Sequence, residues 1–284
     1  KHYSSDLQEA AARYTEMKLA PVANELFKTI KKNPENLIPN YDETTVEPKI
    51  LPVTFPNILA NPNKGVAVAF TCEFPSFNLS ELCDATIEMV KHFDDSDKKN
   101  LTRLLKVLPA PDFTSGAQLL YNEAVMRELY SKGIGSLLLR SKFHYDKKEN
   151  ILEIIEIPFS TTAEAIIDGI VKAVKENRLK DVVDVRDEIS KDGFKVALDL
   201  RRGADVEDVK NRLYSLTKVQ DTLACNLTLI HNGNPSQMGV LDILKNWIIW
   251  RREEVTIETK FDLKEKEDRL HLLQGLEKIL LDID

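Results

Sequence analysis

The sequence lacks the features of membrane, secreted and disulfide-stabilised proteins. No apolar run reaches the roughly 18 to 20 residues that span a bilayer, and residues 1–6 contain no apolar core of a signal peptide. Only three cysteines are present, Cys72, Cys83 and Cys225, and none stands in a C-x-x-C pair. We therefore expect a protein of the reducing cytoplasm, with no membrane partner, no disulfide framework and no zinc site.

The common catalytic signatures are missing as well. The sequence has no G-x-x-x-x-G-K-[ST] loop, no G-x-S-x-G elbow and no H-E-x-x-H motif. Asp95 and Asp97 have the spacing of a magnesium-binding pair, but no strand leads into them, which favours a solvated turn. Gly133 and Gly135 could approach a phosphate, but a third glycine is missing, so we interpret them as a helix-to-strand turn. No metal ligand is predicted on this chain.

Positive charge is also scarce. The 284 residues include 39 lysines and arginines against 46 aspartates and glutamates, giving a net charge of −7. This is the wrong sign for binding nucleic acid through net charge, so any site for a polyanion must be local.

The length of the chain predicts two domains, or one large domain with an appendage. Because the chain starts without methionine and stops inside a helical pattern, we expect a piece of a longer protein.

The order of the predicted elements indicates the α+β class. We predict a helix over residues 5–32, interrupted at Pro21 and best formed after it, an extended proline-rich connector over 33–62, and a buried strand over 65–71. The further predictions are helices at 78–92, 122–131, 162–177 and 206–217, strands near 117–121, 182–185, 194–200 and 226–230, and a hairpin joining 136–145 to 151–157. After Gly239 a long helix is predicted, with leucines spaced as in a coiled coil.

One segment suggests chemistry directly. Arg13 and Tyr14 follow three alanines, which would let a phosphodiester approach the phenol while the guanidinium neutralises its charge. A free tyrosine is ionised to only about one part in a thousand at neutral pH, so a nucleophilic role requires a base or a cation. The alternative is an amphipathic helix whose tyrosine packs at its edge. The residues of this segment leave both interpretations open.

The segment over residues 10–16 resembles the active-tyrosine motif of bacterial type IIA topoisomerase A subunits, those of DNA gyrase and topoisomerase IV. The similarity continues in family order through residues 40–43, 47–48, 51–52, 55–61, 65–68, 133–135, 156–159, 185–188, 191–193 and 211–214. The chain departs from the family at 74–78, where I-P-P-H-N is usual, and at Ala69 and Phe70, where G-M is usual.

The resemblance implies roles for three residues. Tyr14 would attack a DNA phosphodiester and become joined to the 5′ phosphate, and Arg13 would stabilise charge on that phosphate and contact the DNA. Val66, where isoleucine is usual in the family, would wedge between base pairs of bent DNA. The alternative for Val66 is a buried strand residue.

The resemblance also implies an organisation and partners. Residues 1–46 would end a winged-helix domain, 47–229 would form an α/β tower, and 230–284 would start a coiled coil. Mg²⁺ and ATP would be bound by the partner B subunit, in an A2B2 assembly built on an A-subunit homodimer that acts on double-stranded DNA at the nucleoid. The isolated piece would be inactive. The alternative, suggested by the altered residues and the acidic balance, is a non-catalytic DNA-binding or scaffold relative.

Overall fold

The computed structural model describes residues 11–189 and 193–281 and has the predicted mixed α+β architecture. The chain forms two compact units. The first unit contains the chain up to Tyr14 together with Ile58–Asp242, and the second contains Thr15–Asn57 together with the chain from Ile243 onward. Across the described ranges, no helix combines the length and apolar character needed to cross a bilayer.

The helices and strands have the following bounds. The α-helices are α1 (Ala23–Phe27), α2 (Asn57–Ala60), α3 (Leu79–Lys91), α4 (Asp97–Val107), α5 (Glu123–Lys132), α6 (Ala163–Lys175), α7 (Val206–Leu216) and α8 (Val240–Leu281). The strands are β1 (Leu37–Pro39), β2 (Val46–Pro48), β3 (Asn63–Ala67), β4 (Phe70–Phe74), β5 (Gln118–Leu119), β6 (Ile134–Arg140), β7 (Lys142–Asp146), β8 (Ile151–Glu156), β9 (Val182–Asp187), β10 (Val196–Leu200), β11 (Gln220–Asn226), β12 (Thr228–His231) and β13 (Asn234–Gln237). Single 3₁₀ turns cover Ala12–Tyr14, Ile30–Lys32 and Pro34–Asn36.

A four-stranded antiparallel sheet in the order β7-β8-β10-β9 carries one core of the first unit. Apolar side chains of the sheet, including Leu152 and Val196, are fully buried against helix residues such as Ile166 and Ile170. Helix α6 begins where predicted because the Thr162 hydroxyl accepts a hydrogen bond from an amide of its first turn. Local capping and an apolar stripe therefore place this helix on the sheet.

A second, five-stranded sheet of the first unit has the order β3-β4-β11-β6-β5, and β12 and β13 form a separate two-stranded sheet. Helix α5 starts at the Asn122 cap and ends at Gly133, whose φ of 77° is left-handed, directly before β6. Gly133 and Gly135 therefore belong to the predicted helix-to-strand turn. The buried Tyr130 hydroxyl donates to the Leu108 carbonyl at 2.7 Å and ties α5 to the end of α4.

Replacing Gly133 with alanine tests this turn. The left-handed backbone disfavours an alanine by about 1–2 kcal/mol, and the new Cβ would collide with the backbone carbonyl of Met238. We expect the free energy of unfolding to fall by about 2–4 kcal/mol when the clash is included, measured by urea denaturation. Gly203→Ala is the matched control, because Gly203 has a φ of 84° with nothing near its added Cβ. Equal losses in both variants would contradict the role of the close contact.

In the second unit, polar side chains join the segment after Tyr14 to the long helix α8. Asn33 donates to both carboxylate oxygens of the buried Glu254, at 2.9 and 3.2 Å, and Lys32 pairs with Asp262 at 2.7 Å. A buried carboxylate needs such donors because it has lost its hydration. Residues 32 and 33 are therefore fastened to α8 by charge-assisted hydrogen bonds.

The predicted helix over residues 5–32 is found only after Pro21, as the short α1, and is wrong over the described residues before Pro21. The chain forms one 3₁₀ turn at residues 12–14, runs without regular structure to residue 20, and is α-helical only over α1. Leu19 and Val22, which suggested an amphipathic helix, are 70% and 56% exposed. Helix propensity alone does not stabilise a short helix that buries no apolar face. Residues 5–10 lie outside the described residues.

Three strand predictions also need correction. Residues 65–71 are two strands joined by a turn, so they are not one buried strand. Residues 136–145 belong to two sheets, because β6 pairs with β5 and β11 while β7 pairs with β8. The strand predicted at 226–230 is divided between the end of β11 and β12, and most of β11 was not predicted.

Among the helices, α4 was not predicted from the sequence. Helices α3, α5, α6, α7 and the long α8 are confirmed, as are β9 and β10.

Candidate functional site

Tyr14 lies at the end of the 3₁₀ turn Ala12–Tyr14, and its amide donates to the Ala11 carbonyl at 2.9 Å. Its side chain is 73% exposed, and the alanines before it are exposed as well. No large side chain from this turn covers the ring, so the phenolic oxygen can be approached by a bulky phosphodiester. The alternative of a tyrosine packed at the edge of an amphipathic helix is wrong.

Arg13 lies directly against this phenol. Its guanidinium carbon is 4.6 Å from the centroid of the Tyr14 ring, a cation–π contact. Such a contact at an exposed site stabilises the arrangement by about 0.5–1 kcal/mol. It keeps a permanent positive charge beside the phenol, in a planar fork that matches two oxygens of a phosphate. The turn therefore presents a group that can bind a phosphate beside an accessible phenolic oxygen.

Val66 lies on a separate element of the first unit, the hairpin of β3 and β4. Val66 pairs with Thr71 and Ala67 pairs with Phe70, so Val68 and Ala69 form a two-residue turn. Val66 is 81% exposed and Val68 is 96% exposed. The interpretation of Val66 as a buried strand residue is therefore wrong. An exposed branched side chain near the end of a hairpin has the shape and polarity of a wedge for a base step.

Ala69 occupies a position in this turn that suits glycine better. Its φ of 67° is left-handed, which costs an alanine about 1–2 kcal/mol relative to glycine. Because glycine loses more backbone entropy on folding, we expect Ala69→Gly to raise the free energy of unfolding by about 0.5–1 kcal/mol. Urea denaturation would measure the change. Ala67→Gly on the adjacent strand is the control and should destabilise; a similar loss in both variants would contradict the explanation.

Asn226 connects the hairpin of Val66 to a second hairpin, formed by β12 and β13. Its amide donates to the Thr71 carbonyl at 2.8 Å. Its side-chain oxygen accepts from the Thr228 hydroxyl at 2.7 Å and from the Gln237 amide at 3.2 Å. One side chain therefore fixes both hairpins relative to each other. No motif in the sequence marks Asn226, because the Thr71 carbonyl that joins it to the first hairpin lies 155 positions away along the chain.

Two other reactive groups among the described residues, Cys225 and Asp95, do not form a competing site. Burial raises the pKa of the Cys225 thiol to about 12, with a smaller effect from the charge of Glu73. This thiol stays protonated at neutral pH and is a poor nucleophile. Asp95 pairs with Arg103, which lowers the pKa of that carboxyl chiefly through a hydrogen bond. Asp95 lies in the predicted turn, whereas Asp97 begins α4.

The described residues offer no ready metal centre. Within residues 11–189 and 193–281, no three histidine, cysteine, aspartate or glutamate side chains group closely enough to hold a metal ion. Magnesium prefers carboxylate and other oxygen ligands in near-octahedral geometry. These residues do not fit a magnesium ion, and no metal ligand is assigned to them.

Comparison with known proteins identifies the family. The family of DNA gyrase/topoisomerase IV A subunits matches residues 2–284. The chain is 34% identical over 278 residues to the DNA gyrase A subunit of Borrelia hermsii, covering 97% of this chain and 34% of that protein. It is 33% identical over 279 residues to the DNA topoisomerase 4 A subunit of Streptococcus pneumoniae, covering 97% of this chain and 33% of that protein.

A third relative agrees with these two. The DNA gyrase A subunit of Chlamydia trachomatis is 35% identical over 280 residues, again covering 97% of this chain and 33% of the relative. The chain thus spans about a third of the length of the curated relatives that it matches. The match extends over both compact units and includes the Arg13–Tyr14 turn and the β3–β4 hairpin. The chain belongs to the family of DNA gyrase and topoisomerase IV A subunits.

Proposed function

We propose that this chain is the part of a type IIA topoisomerase A subunit that cleaves and religates DNA. The observation that carries the proposal is the exposed Tyr14 phenol held against the Arg13 guanidinium, in a chain of this family. The same pair disfavours the alternative of a non-catalytic DNA-binding or scaffold relative, which would have no need of an accessible phenol beside a phosphate-binding fork.

The reaction exchanges one phosphodiester for another. The Tyr14 oxygen forms a bond to phosphorus while the bond from phosphorus to the 3′ oxygen breaks, leaving the 5′ phosphate on the tyrosine. The phenol gives its proton to the solvent and the leaving 3′ oxygen takes one up from the solvent to become a hydroxyl, so the number of protons is unchanged. Arg13 neutralises the charge that builds up on the phosphate oxygens. Attack by the same 3′ hydroxyl reverses the step and reseals the strand.

The organisation proposed for the chain follows the family. Residues 1–46 would end a winged-helix domain that carries Tyr14, residues 47–229 would form the tower with the Val66 wedge, and residues 230–284 would start the coiled-coil arm. Val66 would open a base step of the DNA to be cut, because unstacking costs a few kcal/mol that contacts with the bent duplex recover.

The proposed partners supply the nucleotide, the metal ion and the DNA. The B subunit would bind ATP and Mg²⁺, and Mg²⁺ would add positive charge near the scissile phosphate. The working assembly would be A2B2 around an A-subunit homodimer on double-stranded DNA, at the nucleoid in the cytoplasm. The isolated piece is expected to be inactive.

A covalent-trapping assay tests the proposal. The full-length A subunit, its B subunit, ATP, Mg²⁺ and an end-labelled duplex are incubated and then denatured, and labelled protein is detected on a gel. We expect a labelled band at the mass of the A subunit. If the duplex binds the wild-type assembly but never becomes linked to protein, the catalytic assignment is overturned.

A further inference from the structure

The tip of the first hairpin and the whole of the second lack acidic residues, although the chain as a whole is acidic, and Glu73 at the base of the first hairpin is paired with Lys64. Residues 48–72, which include β3 and the tip of the first hairpin, contain no aspartate or glutamate. Residues 222–241, which include the whole β12–β13 hairpin, contain none either. A chain with a net charge of −7 therefore presents two adjacent elements that do not repel a phosphate backbone.

An apolar groove of about 300 Å³ lies between the two hairpins. Val66 and Phe70 line one side of it, and Leu229, Ile230 and Pro235 line the other. Ile230 is 77% exposed, nearly as much as Val66 at 81%. The second hairpin thus carries its own exposed branched side chain next to the residue that we assign as the wedge.

The tip of the second hairpin is tight and rich in hydrogen-bonding groups. His231 pairs with Asn234, so Asn232 and Gly233 form a two-residue turn with φ values of 50° and 80°. An Asn-Gly turn of this kind matches the twist of the strands and fixes the tip. The tip presents amide and imidazole groups, which can hydrogen-bond to the base edges of the minor groove.

We propose that the β12–β13 hairpin is a second contact with the DNA that is cut, with Ile230 entering the minor groove beside the step opened by Val66. The inference rests on the proposed function of the chain. Minor-groove proteins combine inserted apolar side chains with asparagine or glutamine contacts, as this hairpin does. The Asn226 side chain makes the two hairpins one bending element, because it holds both of them through its amide and its oxygen.

DNA bending by the full-length A and B subunits tests this inference. A duplex labelled with a fluorophore at each end reports bending by energy transfer, independently of cleavage. We expect Ile230→Ala and Val66→Ala each to lower the bent fraction by about five- to tenfold, because each removes an apolar contact made only with bent DNA. Ile230→Thr, which keeps the β-branch but replaces the apolar end with a hydroxyl, is expected to lower it as well. Ile87→Ala, at a 51% exposed isoleucine of α3, is the matched control and should bend DNA normally.

The outcomes separate this inference from the proposed function. Absence of a covalent complex with the wild type overturns the proposed function, whatever the bending result. A wild type that cleaves, with bending lost in Val66→Ala but kept in both Ile230 variants, overturns the second contact alone. An Ile230→Ala variant that binds the B subunit more weakly while bending DNA normally also overturns it, since the surface would then be a protein contact. Thermal unfolding of each variant checks that the fold is intact.

Discussion

The Tyr14→Phe variant of the full-length protein is expected to form no covalent complex with DNA. Phenylalanine keeps the ring that contacts Arg13 but has no oxygen to attack phosphorus. Since the Tyr14 side chain is 73% exposed, its hydroxyl contributes little to folding, and the loss is a chemical one. The labelled protein band of the trapping assay should disappear, while the affinity for uncut DNA and its dependence on salt stay as in the wild type.

Tyr121→Phe provides the matched control. Tyr121 is also exposed, at 53%, and lies outside the sequence blocks that carry the family resemblance. This variant should give a band of wild-type intensity. A band that persists in Tyr14→Phe, at the mass of the A subunit, would show that another residue is the nucleophile.

The second large effect is expected for Arg13→Ala, which should slow cleavage by about 10²- to 10³-fold. Alanine removes both the charge beside the phosphate and the contact that places this charge against the phenol. Arg13→Lys keeps the charge but loses the planar fork, so we expect an intermediate rate. Single-turnover cleavage on saturating DNA measures the chemical step separately from binding.

Arg202→Ala controls for the loss of one positive charge, because Arg202 is exposed and lies on a loop of the first unit. Its cleavage rate should match the wild type. An Arg13→Ala enzyme that cleaves at nearly the wild-type rate, or an equal loss in Arg202→Ala, would contradict the local role of Arg13.

The helices were the most predictable part of this fold because their signals are local. Helix α6 begins after a capping Thr162, and α3 begins after Asn78, whose side chain accepts from two amides of the first turn. Strand pairing was less predictable. The apolar run over residues 65–71 resembles one buried strand, and the turn inside it has an alanine, Ala69, in place of the glycine that would have marked it.

In the candidate site, too, only the contacts between residues close in sequence could be predicted. Arg13 and Tyr14 are neighbours in sequence, so their motif already places them together, and the structure adds the stacking of one on the other. The contact between Asn226 and Thr71 joins residues 155 positions apart. No periodicity or spacing in a single sequence encodes such a pair, and the exposed Ile230 became visible only with the hairpin that carries it.

Because residues 32 and 33 are anchored to α8, a small change in the direction of the helix at this anchor moves its far end by a larger distance. The last anchored residue, Asp262, is followed by 19 more helical residues, which extend about 29 Å at 1.5 Å per residue. A tilt of about 10° at Asp262 would move the end of this arm by about 5 Å. Small angular changes in the segment that follows Tyr14 are therefore amplified into displacements about as large as one helical turn at the far end of α8.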